Sequence, residues 1–257
     1  MKENEKKNPL FYSIGSRLRL PYILSSIKNL DKNSSCLDLG CGTGFFSSIL
    51  AKKNFKVCGV DPDHFSLEKA KELYRDLEIN FLEASAETIP LPDNFVDFFI
   101  CSEVLEHVNS LEQTLKEIIR VSKKGTKFFI TVPSKGIFGR FFLKIGHNEQ
   151  NLYESDKRPP FNKKGITELL KKFNFKIEKC FYSKFIIAEI FMGLTKIFHN
   201  LKKGRKEISG QHDIIMPPLI YKIIFPFIYF ICRLEDFILR HFFLPGHMIV
   251  IFGEIEK

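Results

Sequence analysis

Two alternating rhythms of hydrophobic and polar positions run through most of the chain. Short apolar runs of strand length, such as 95–101, alternate with segments whose apolar residues recur at helical spacing, such as Leu111, Leu115 and Ile118. Because strands that alternate with helices pair in parallel through right-handed crossovers, this order predicts an α/β fold with a mostly parallel sheet and helices on both faces. The predicted strands are 36–39, 55–61, 79–82, 95–101, 127–132, 175–182 and 248–255.

Three segments depart from this rhythm. Residues 9–30 carry apolar positions spaced for one or two helices ahead of the first strand. Residues 134–161 contain several glycines and prolines and predict a long, functional loop region. We therefore divide the chain into a core of residues 1–183, a hydrophobic helical insertion of residues 184–245, and residues 246–257, which hold the final strand of the core sheet.

The insertion is rich in Ile, Leu and Phe, and the polar residues of its second half fall on one helical stripe. These polar positions are Lys222, Pro226, Tyr229, Arg233, Asp236 and Arg240. The longest uncharged run, 223–232, has ten residues and contains a proline, whereas a bilayer span needs about 20 apolar residues. The pattern favours an amphipathic helix that binds an anionic membrane surface with help from the basic run 202–206. The alternatives are a lid over the core, a dimer contact and a true bilayer span.

The net charge narrows the range of partners only in part. The 39 Lys and Arg residues exceed the 30 Asp and Glu residues, which gives a net charge of +9. Such an excess attracts anions, whether nucleic acid, anionic lipid or an acidic metabolite. The lysines are spread over all the predicted surface helices rather than concentrated on one face, so we expect no nucleic-acid partner.

The cysteines and the first residues of the chain bear on its compartment. The six cysteines show no paired C-x-x-C spacing, which argues against a zinc knuckle or a dithiol redox site. Residues 1–11 carry charge without an apolar run after it, which is unlike a secretory signal. We therefore expect a cytoplasmic protein with reduced thiols.

A glycine-rich turn joins the first predicted strand to the first helix of the alternating region. Asp38 precedes Gly40, Gly42 and Gly44, and Asp61 ends the second strand, where a carboxylate can accept both ribose hydroxyls. Glycines let a ligand approach the backbone closely, and the helix start favours a carboxylate or a phosphate. An acid in front of the turn would repel a pyrophosphate but not a ligand that carries an amine and a sulfonium. The G-x-G-x-G spacing also differs from the G-x-G-x-x-G of nicotinamide-dependent oxidoreductases, which remain an alternative.

Four motifs together resemble the class I S-adenosylmethionine-dependent methyltransferases, and most closely the branch with quinone-biosynthesis and many small-molecule methyltransferases. They are LDLGCGTG at 37–44, GVDPD at 59–63, ASAETIPLPDNFVDFFICSEVLEHV at 84–108 and KFFITVPS at 127–134. The resemblance covers roughly residues 10–182 and the last strand. It implies a Rossmann-like sheet of seven strands whose last strand is antiparallel, and S-adenosylmethionine as the cofactor.

The resemblance also implies a set of cofactor contacts. Asp38 and the glycine turn would surround the methionine part, Asp61 would hold the ribose, and residues 85–87 would lie beside the adenine. Tyr12 and Arg19 precede the first strand, where related enzymes often close over the cofactor. The full set of implied cofactor residues is Asp38, Gly40, Cys41, Gly42, Gly44, Asp61, Pro62, Ser85, Ala86, Glu87 and Ser102.

The densest polar cluster follows the fourth strand. Glu103, Glu106 and His107 lie at the carboxyl edge of the predicted sheet, where open α/β sheets bind their ligands. Glu103 would lie near the cofactor and the substrate mouth, and a histidine can accept a proton near neutral pH, so Glu103 and His107 are our candidate catalytic groups. The cluster could instead order the loop or hold a metal, but one short turn supplies few ligands and we assign no metal. His147 and Glu149, and Arg158 before two prolines, are further candidates in the 134–161 region.

These observations predict an enzyme that transfers a methyl group from S-adenosylmethionine to a small or lipid-like acceptor, at oxygen or carbon, by in-line displacement. The alternatives are a catalytically silent scaffold that binds the same cofactor, and a methyltransferase acting on a soluble glycan or a nucleic acid. A membrane-surface role for residues 184–245 would place the protein peripherally on the inner face of the cell membrane. The sequence makes no prediction of oligomeric state.

Overall fold

The computed structural model describes residues 14–134, 160–183, 187–188, 190, 218–241 and 246–257. These residues form seven strands and six helices. The strands are β1 Ser35–Leu39, β2 Lys56–Asp61, β3 Ile79–Glu83, β4 Val96–Ser102, β5 Ser122–Pro133, β6 Phe175–Ser183 and β7 Met248–Ile255. The helices are α1 Ile14–Ser26, α2 Phe45–Ala51, α3 His64–Leu73, α4 Leu111–Val121, α5 Lys163–Lys172 and α6 Pro218–His241.

The seven strands form one sheet in the order β3-β2-β1-β4-β5-β7-β6. The pairs β1–β2, β1–β4, β2–β3 and β4–β5 are parallel, and β7 runs antiparallel to both β5 and β6. The predicted architecture, with an antiparallel last strand, is therefore confirmed. Because β6 points the same way as β5, the carboxyl ends of β1 to β6 all lie at one edge of the sheet.

The core occupies both faces of the sheet, as the continuous apolar strands predict. Alternate residues of β4 point to opposite sides: Phe99 packs in the cluster that includes Leu115 of α4, whereas Phe98 packs in the cluster that includes Ile23 of α1. Both phenylalanines are completely buried. Helices on both faces thus clamp the central strands and fix the positions of their carboxyl ends.

The strand β5 begins earlier than the sequence pattern indicates. The pattern predicts a strand from residue 127, but β5 starts at Ser122, which pairs with Val96. Gly125 lies inside the strand with a φ of +78°, and the register of the β4–β5 pair shifts between Val96 and Phe98. The hydroxyl of Thr126 donates to the Val96 carbonyl at 2.6 Å and so fastens the irregular part of the ladder. Such a bulge has no hydrophobic signature, because it is defined by pairing.

Three residues in the polar stripe of α6, Tyr229, Arg233 and Asp236, face the domain rather than solvent, whereas Pro226 is exposed. Asp236 is buried, and Tyr22 of α1 and Ser183 of β6 donate hydroxyl hydrogens to its carboxylate. The Arg233 guanidinium lies over the ring of Tyr22, with its carbon 5.4 Å from the ring centroid. Phe225 of α6 packs with Leu18 of α1 in a small hydrophobic cluster. Within the described residues, no helix is long and apolar enough to cross a membrane.

Candidate functional site

The site lies where the strand order changes direction. Within the sheet, β2 lies next to one edge of β1 and β4 lies next to the other edge. The connections after β1 and β4 therefore diverge, and a crevice opens between the carboxyl ends of these two strands. Gly40 follows β1, Asp61 ends β2 and Ser102 ends β4. The topology therefore gathers three of the predicted cofactor segments at one edge.

The glycine turn is fastened to the end of β2 by backbone hydrogen bonds. The amides of Gly40 and Cys41 donate to the Val60 carbonyl at 2.7 and 3.1 Å. The Gly42 amide donates to the Asp61 carboxylate at 2.7 Å. Since these bonds hold the turn against the neighbouring strand, its conformation is set before any ligand arrives, which reduces the entropic cost of binding.

Gly40 is required by both its conformation and its neighbour. Its φ is +70°, a region that side chains other than glycine rarely adopt. A Cβ at this position would lie 2.3 Å from the Cγ2 of Val104, which belongs to the segment after β4. The backbone of the turn and the segment after β4 are thus in direct contact, and only a residue without a side chain permits this.

Asp61 keeps hydrogen-bonding capacity on both of its carboxylate oxygens. Oδ2 accepts from the Gly42 amide, and Oδ1 accepts from the Asp63 amide at 2.9 Å. Each oxygen has a second lone pair that can receive a ribose hydroxyl. Burial raises the pKa of Asp61, and the two amides act in the opposite direction. Asp63 itself caps α3, where its side chain accepts from the amides of Phe65 and Ser66.

Asp38 is buried beneath the turn, and the hydroxyl of Ser47 in α2 donates to it at 2.6 Å. Burial raises the pKa of Asp38 to about 7, with the Ser47 bond opposing the shift. A carboxyl group in this state gains its charge readily when a cation comes near, because the cation offsets the cost of burying the anion. The ammonium group of an amino-acid ligand is such a cation.

The segment after β3 holds the residues expected near an adenine. The hydroxyls of Ser85 and Thr88 are 3.1 Å apart, and Ala86 is buried. The carboxylate of Glu87 accepts from the amides of Asn109 and Ser110 at 2.6 and 3.3 Å, at the start of α4. Glu87 therefore ties this segment to the one that follows β4.

Ser102 and Glu103 lie at the end of β4 with distinct roles. Arg19 of α1 donates to the Ser102 hydroxyl at 2.6 Å, and the Thr131 hydroxyl of β5 lies 3.0 Å from the same oxygen. Glu103 has a φ of +58°, a strained value for a residue with a side chain. Its Oε1 atom is buried and has no hydrogen-bond partner among the described residues. A buried carboxylate oxygen without a partner is costly, and such groups concentrate where a ligand completes them.

The two other members of the polar cluster have different environments. Glu106 is 2% exposed, whereas the side chain of His107 is 42% exposed. Nε2 of His107 lies 3.9 Å from Oε1 of Glu106. The described residues contain no group of three or more His, Cys, Asp or Glu side chains arranged to hold a metal ion.

Some predicted residues lie outside the described part of the chain. These are Tyr12, His147, Glu149 and Arg158. Of the remaining predictions, Cys41 is a buried residue within the glycine turn, and Pro62, next to Asp61, is exposed.

Two supporting residues were not anticipated from the sequence. Ser47 holds Asp38, and Thr131 meets Ser102 across the β4–β5 pair. Both are fully buried hydroxyls in otherwise apolar segments. A hydroxyl within an otherwise apolar helix or near the carboxyl end of an apolar strand is the signal that could have identified them, because such a group needs a polar partner once buried.

Comparisons with known proteins agree with this geometry. A family profile described as a methyltransferase domain matches residues 37–130. The ubiquinone biosynthesis O-methyltransferase of Rickettsia prowazekii is 32% identical over 212 residues, which cover 77% of each chain. The chain belongs to the class I S-adenosylmethionine-dependent methyltransferases, in the branch that resembles the quinone-biosynthesis enzymes.

Other relatives of this methyltransferase match over shorter regions. The ubiquinone biosynthesis O-methyltransferase of Rickettsia typhi is 32% identical over 124 residues, which cover 46% of this chain and 50% of the relative. The matched region thus spans about half the length of several curated relatives. An S-adenosylmethionine-dependent methyltransferase of Archaeoglobus fulgidus has the same fold, with a TM-score of 0.57, 18% identity, and coverage of 93% of this chain and 92% of that chain. The cofactor of the family is S-adenosylmethionine, which decides against the nicotinamide alternative.

Proposed function

We propose that this methyltransferase transfers a methyl group from S-adenosylmethionine to an oxygen, or an activated carbon, of a small, lipid-like acceptor. The observation that carries the proposal is the buried Oε1 atom of Glu103, which lacks a hydrogen-bond partner among the described residues. Glu103 directly follows β4, at the sheet edge that also holds Asp61 and the glycine turn. A carboxylate oxygen in that position is available to accept the proton of an acceptor hydroxyl.

The residues of the site fit the cofactor chemically. Asp61 has a free lone pair on each oxygen for the ribose hydroxyls. Asp38 lies under the turn with a raised pKa, and a nearby ammonium group would favour its ionised form. The backbone of the turn, free of side chains at Gly40 and Gly42, allows a ligand to approach closely. Ser85 and Ala86 are the proposed neighbours of the adenine.

When bound, S-adenosylmethionine would supply an electrophilic methyl group, and the acceptor atom would bond to that methyl carbon in line as the methyl–sulfur bond breaks and the sulfur leaves as a neutral thioether. The protein then has three tasks. Asp61 and the glycine turn hold one reactant, the buried end of β4 aligns the other, and Glu103 removes the hydroxyl proton of the acceptor as the new bond forms. Alignment of two bound reactants can lower the activation free energy by about 7–11 kcal/mol. His107 is the second candidate for the proton acceptor, although its partial exposure makes it less shielded from water.

The acceptor class is proposed from the relatives and the surface of the molecule. Several relatives are named for O-methylation in ubiquinone biosynthesis, so we propose a hydroxylated ring with an apolar tail as the acceptor. Among the α6 side chains that the structure describes, five apolar ones are largely exposed, which supports a lipid-like substrate. We accordingly propose a cytoplasmic enzyme associated with the inner face of the membrane.

The test is a methyl-transfer assay with purified protein and S-adenosylmethionine carrying a labelled methyl group. We expect transfer to a dihydroxybenzene ring with a prenyl tail, weaker transfer to the same ring without the tail, and none to transfer RNA or a soluble glycan. Cofactor binding without transfer to any acceptor would support the silent scaffold instead. Efficient transfer to RNA or the glycan would overturn the proposed acceptor class while leaving the reaction type intact.

A further inference from the structure

The outward face of α6 is a continuous apolar surface. Phe227, Phe230 and Phe237 are 66%, 63% and 59% exposed, and Leu234 and Ile238 are 48% and 43% exposed. These positions are spaced three, four, three and one residues apart, which places all five on one side of the helix. We call these five residues the aromatic face. Exposed apolar surfaces of this kind mark interaction sites.

The aromatic face is held outward by the polar contacts on the opposite side of the helix. Asp236 accepts hydrogen bonds from Tyr22 and Ser183, and Arg233 stacks on Tyr22. If α6 rolled to bury its phenylalanines, the Asp236 carboxylate would lose both donors. Because breaking a buried, charged hydrogen-bond network is expensive, the helix is fixed with its apolar side towards the surroundings.

The charge of the chain selects the partner. By sequence, residues 184–245 contain nine Lys and Arg residues against five Asp and Glu residues. The basic run 202–206 is among them and lies outside the described residues. The whole chain carries +9, so two copies repel each other, whereas an anionic bilayer attracts the chain. An anionic bilayer also provides the apolar layer that phenylalanine side chains enter. We propose that the aromatic face of α6 docks the protein on an anionic lipid bilayer.

The docking surface lies next to the active-site edge of the sheet. Ser183 ends β6 at that edge and donates to Asp236 of α6 at 2.6 Å. Helix α1 contacts both regions, since Arg19 donates to Ser102 of β4 and Tyr22, one turn later, donates to Asp236. Docking through α6 therefore brings the carboxyl edge of the sheet close to the bilayer. That docking would bring the active site close to a lipid-like acceptor rests on the proposed function, but the docking itself does not.

The experiment is flotation of the purified full-length protein with vesicles of phosphatidylcholine alone and of phosphatidylcholine with phosphatidylglycerol. The test variant is Phe230→Ser with Phe237→Ser, because both side chains are exposed and their loss leaves the core intact. The matched control is Phe65→Ser, since Phe65 is 82% exposed on α3, away from α6. Sedimentation, cofactor binding and methyl transfer to a tail-free acceptor are measured on the same preparations.

We expect the wild-type protein to partition at least about tenfold more strongly into the anionic vesicles than into the neutral ones, with binding that weakens in salt. The double variant should lose about tenfold or more of this partitioning, and the Phe65→Ser control should keep it. Equal flotation of the double variant and the wild type would overturn the proposal. So would absence of wild-type flotation with intact cofactor binding, and so would a wild-type dimer that the double variant dissociates, since a second copy would then cover the face. If the wild-type protein floats as expected but transfers no methyl group, the proposed function alone would be overturned.

Discussion

The hydroxyl of Tyr22 in α1 donates a hydrogen bond to the carboxylate of Asp236 in α6, although 214 residues separate them in the chain. Asp236 is 2% exposed and also accepts from Ser183 at the end of β6. One carboxylate therefore joins the helix before the first strand, the helix of the insertion and the edge of the sheet. Through this junction the insertion becomes part of the same packed unit as the site.

Replacing Tyr22→Phe removes one donor to a buried carboxylate and keeps the ring. We expect the free energy of unfolding to fall by about 1–3 kcal/mol, because Asp236 loses a hydrogen bond that water cannot replace. Urea denaturation measures the change. Tyr182→Phe is the matched control, since the ring of Tyr182 carries its contact with Lys163 and the variant keeps that ring. A loss no larger than that of the control would show that the junction contributes little to stability.

Replacing Asp61→Asn changes a carboxylate that accepts the Gly42 amide of the turn and that we propose also holds the ribose. The dissociation constant of S-adenosylmethionine should rise at least about tenfold, since a charge-assisted contact is lost. Isothermal titration calorimetry measures it. Asp63→Asn is the control, because asparagine caps a helix as well as aspartate does and α3 should remain intact. Equal affinities for Asp61→Asn and the wild type would exclude Asp61 from the cofactor site.

The raised pKa of Asp38 predicts a pH dependence with a definite sign. The pKa is about 7 in the folded protein against an ordinary value of 3.8, so between these values the unfolded chain is ionised and the folded protein is not. The cofactor-free protein should therefore lose stability as the pH rises through that window. A cationic cofactor prefers ionised Asp38, so its affinity should increase with pH up to about 7 and level off above it.

Titration calorimetry below and above pH 7 tests this behaviour. Because a single group titrates, the association constant of the cofactor should change by at most about tenfold per pH unit. Asp38→Asn should bind the cofactor more weakly and show no such slope. An affinity of the wild type that does not vary across this range would mean that Asp38 does not face the charged end of the cofactor.

Replacing Gly40→Ala combines two costs. The residue would keep a φ of +70°, and its Cβ would meet Val104 at 2.3 Å. Backbone strain alone would lower the free energy of unfolding by about 1–3 kcal/mol. We expect a larger loss than this, together with weaker cofactor binding. Gly125→Ala isolates the strain, since its φ is +78° and no heavy atom lies within 4 Å of the added carbon. If both alanines cost the same stability, the contact with Val104 is easily relieved and the turn is less constrained than its geometry indicates.

Replacing Glu103→Gln tests the proton acceptor. The rate constant kcat should fall by about 10²–10⁴, with little change in cofactor affinity, because glutamine cannot take up the proton. His107→Gln is measured beside it under the same conditions. A large fall in kcat for His107→Gln and none for Glu103→Gln would reverse the assignment. The pH dependence of kcat for both variants separates loss of a base from a general disturbance of the loop.

Several features followed from the sequence for identifiable physical reasons. The alternation of strands and helices in the first half depends on apolar runs and on helical spacing, both of which are local. The glycine turn and Asp61 were chosen as candidates because glycine spacing and a carboxylate after a strand are visible locally in the sequence. Glu103 was also identified from its place after β4, although its buried, unpartnered oxygen became visible only in three dimensions.

The sequence by itself determined the α/β sheet, the glycine turn and the polar spacing of α6, because each depends on residues close together in the chain. Only the tertiary structure decided which way α6 faces, since Tyr22 and Ser183, which draw Asp236 inward, lie far from it in sequence. The same holds for the partners Ser47 and Thr131, whose contacts exist only after the helix and strands pack. A periodic pattern defines two faces of a helix, but the hydrogen bonds and apolar contacts of the assembled fold decide which face is buried.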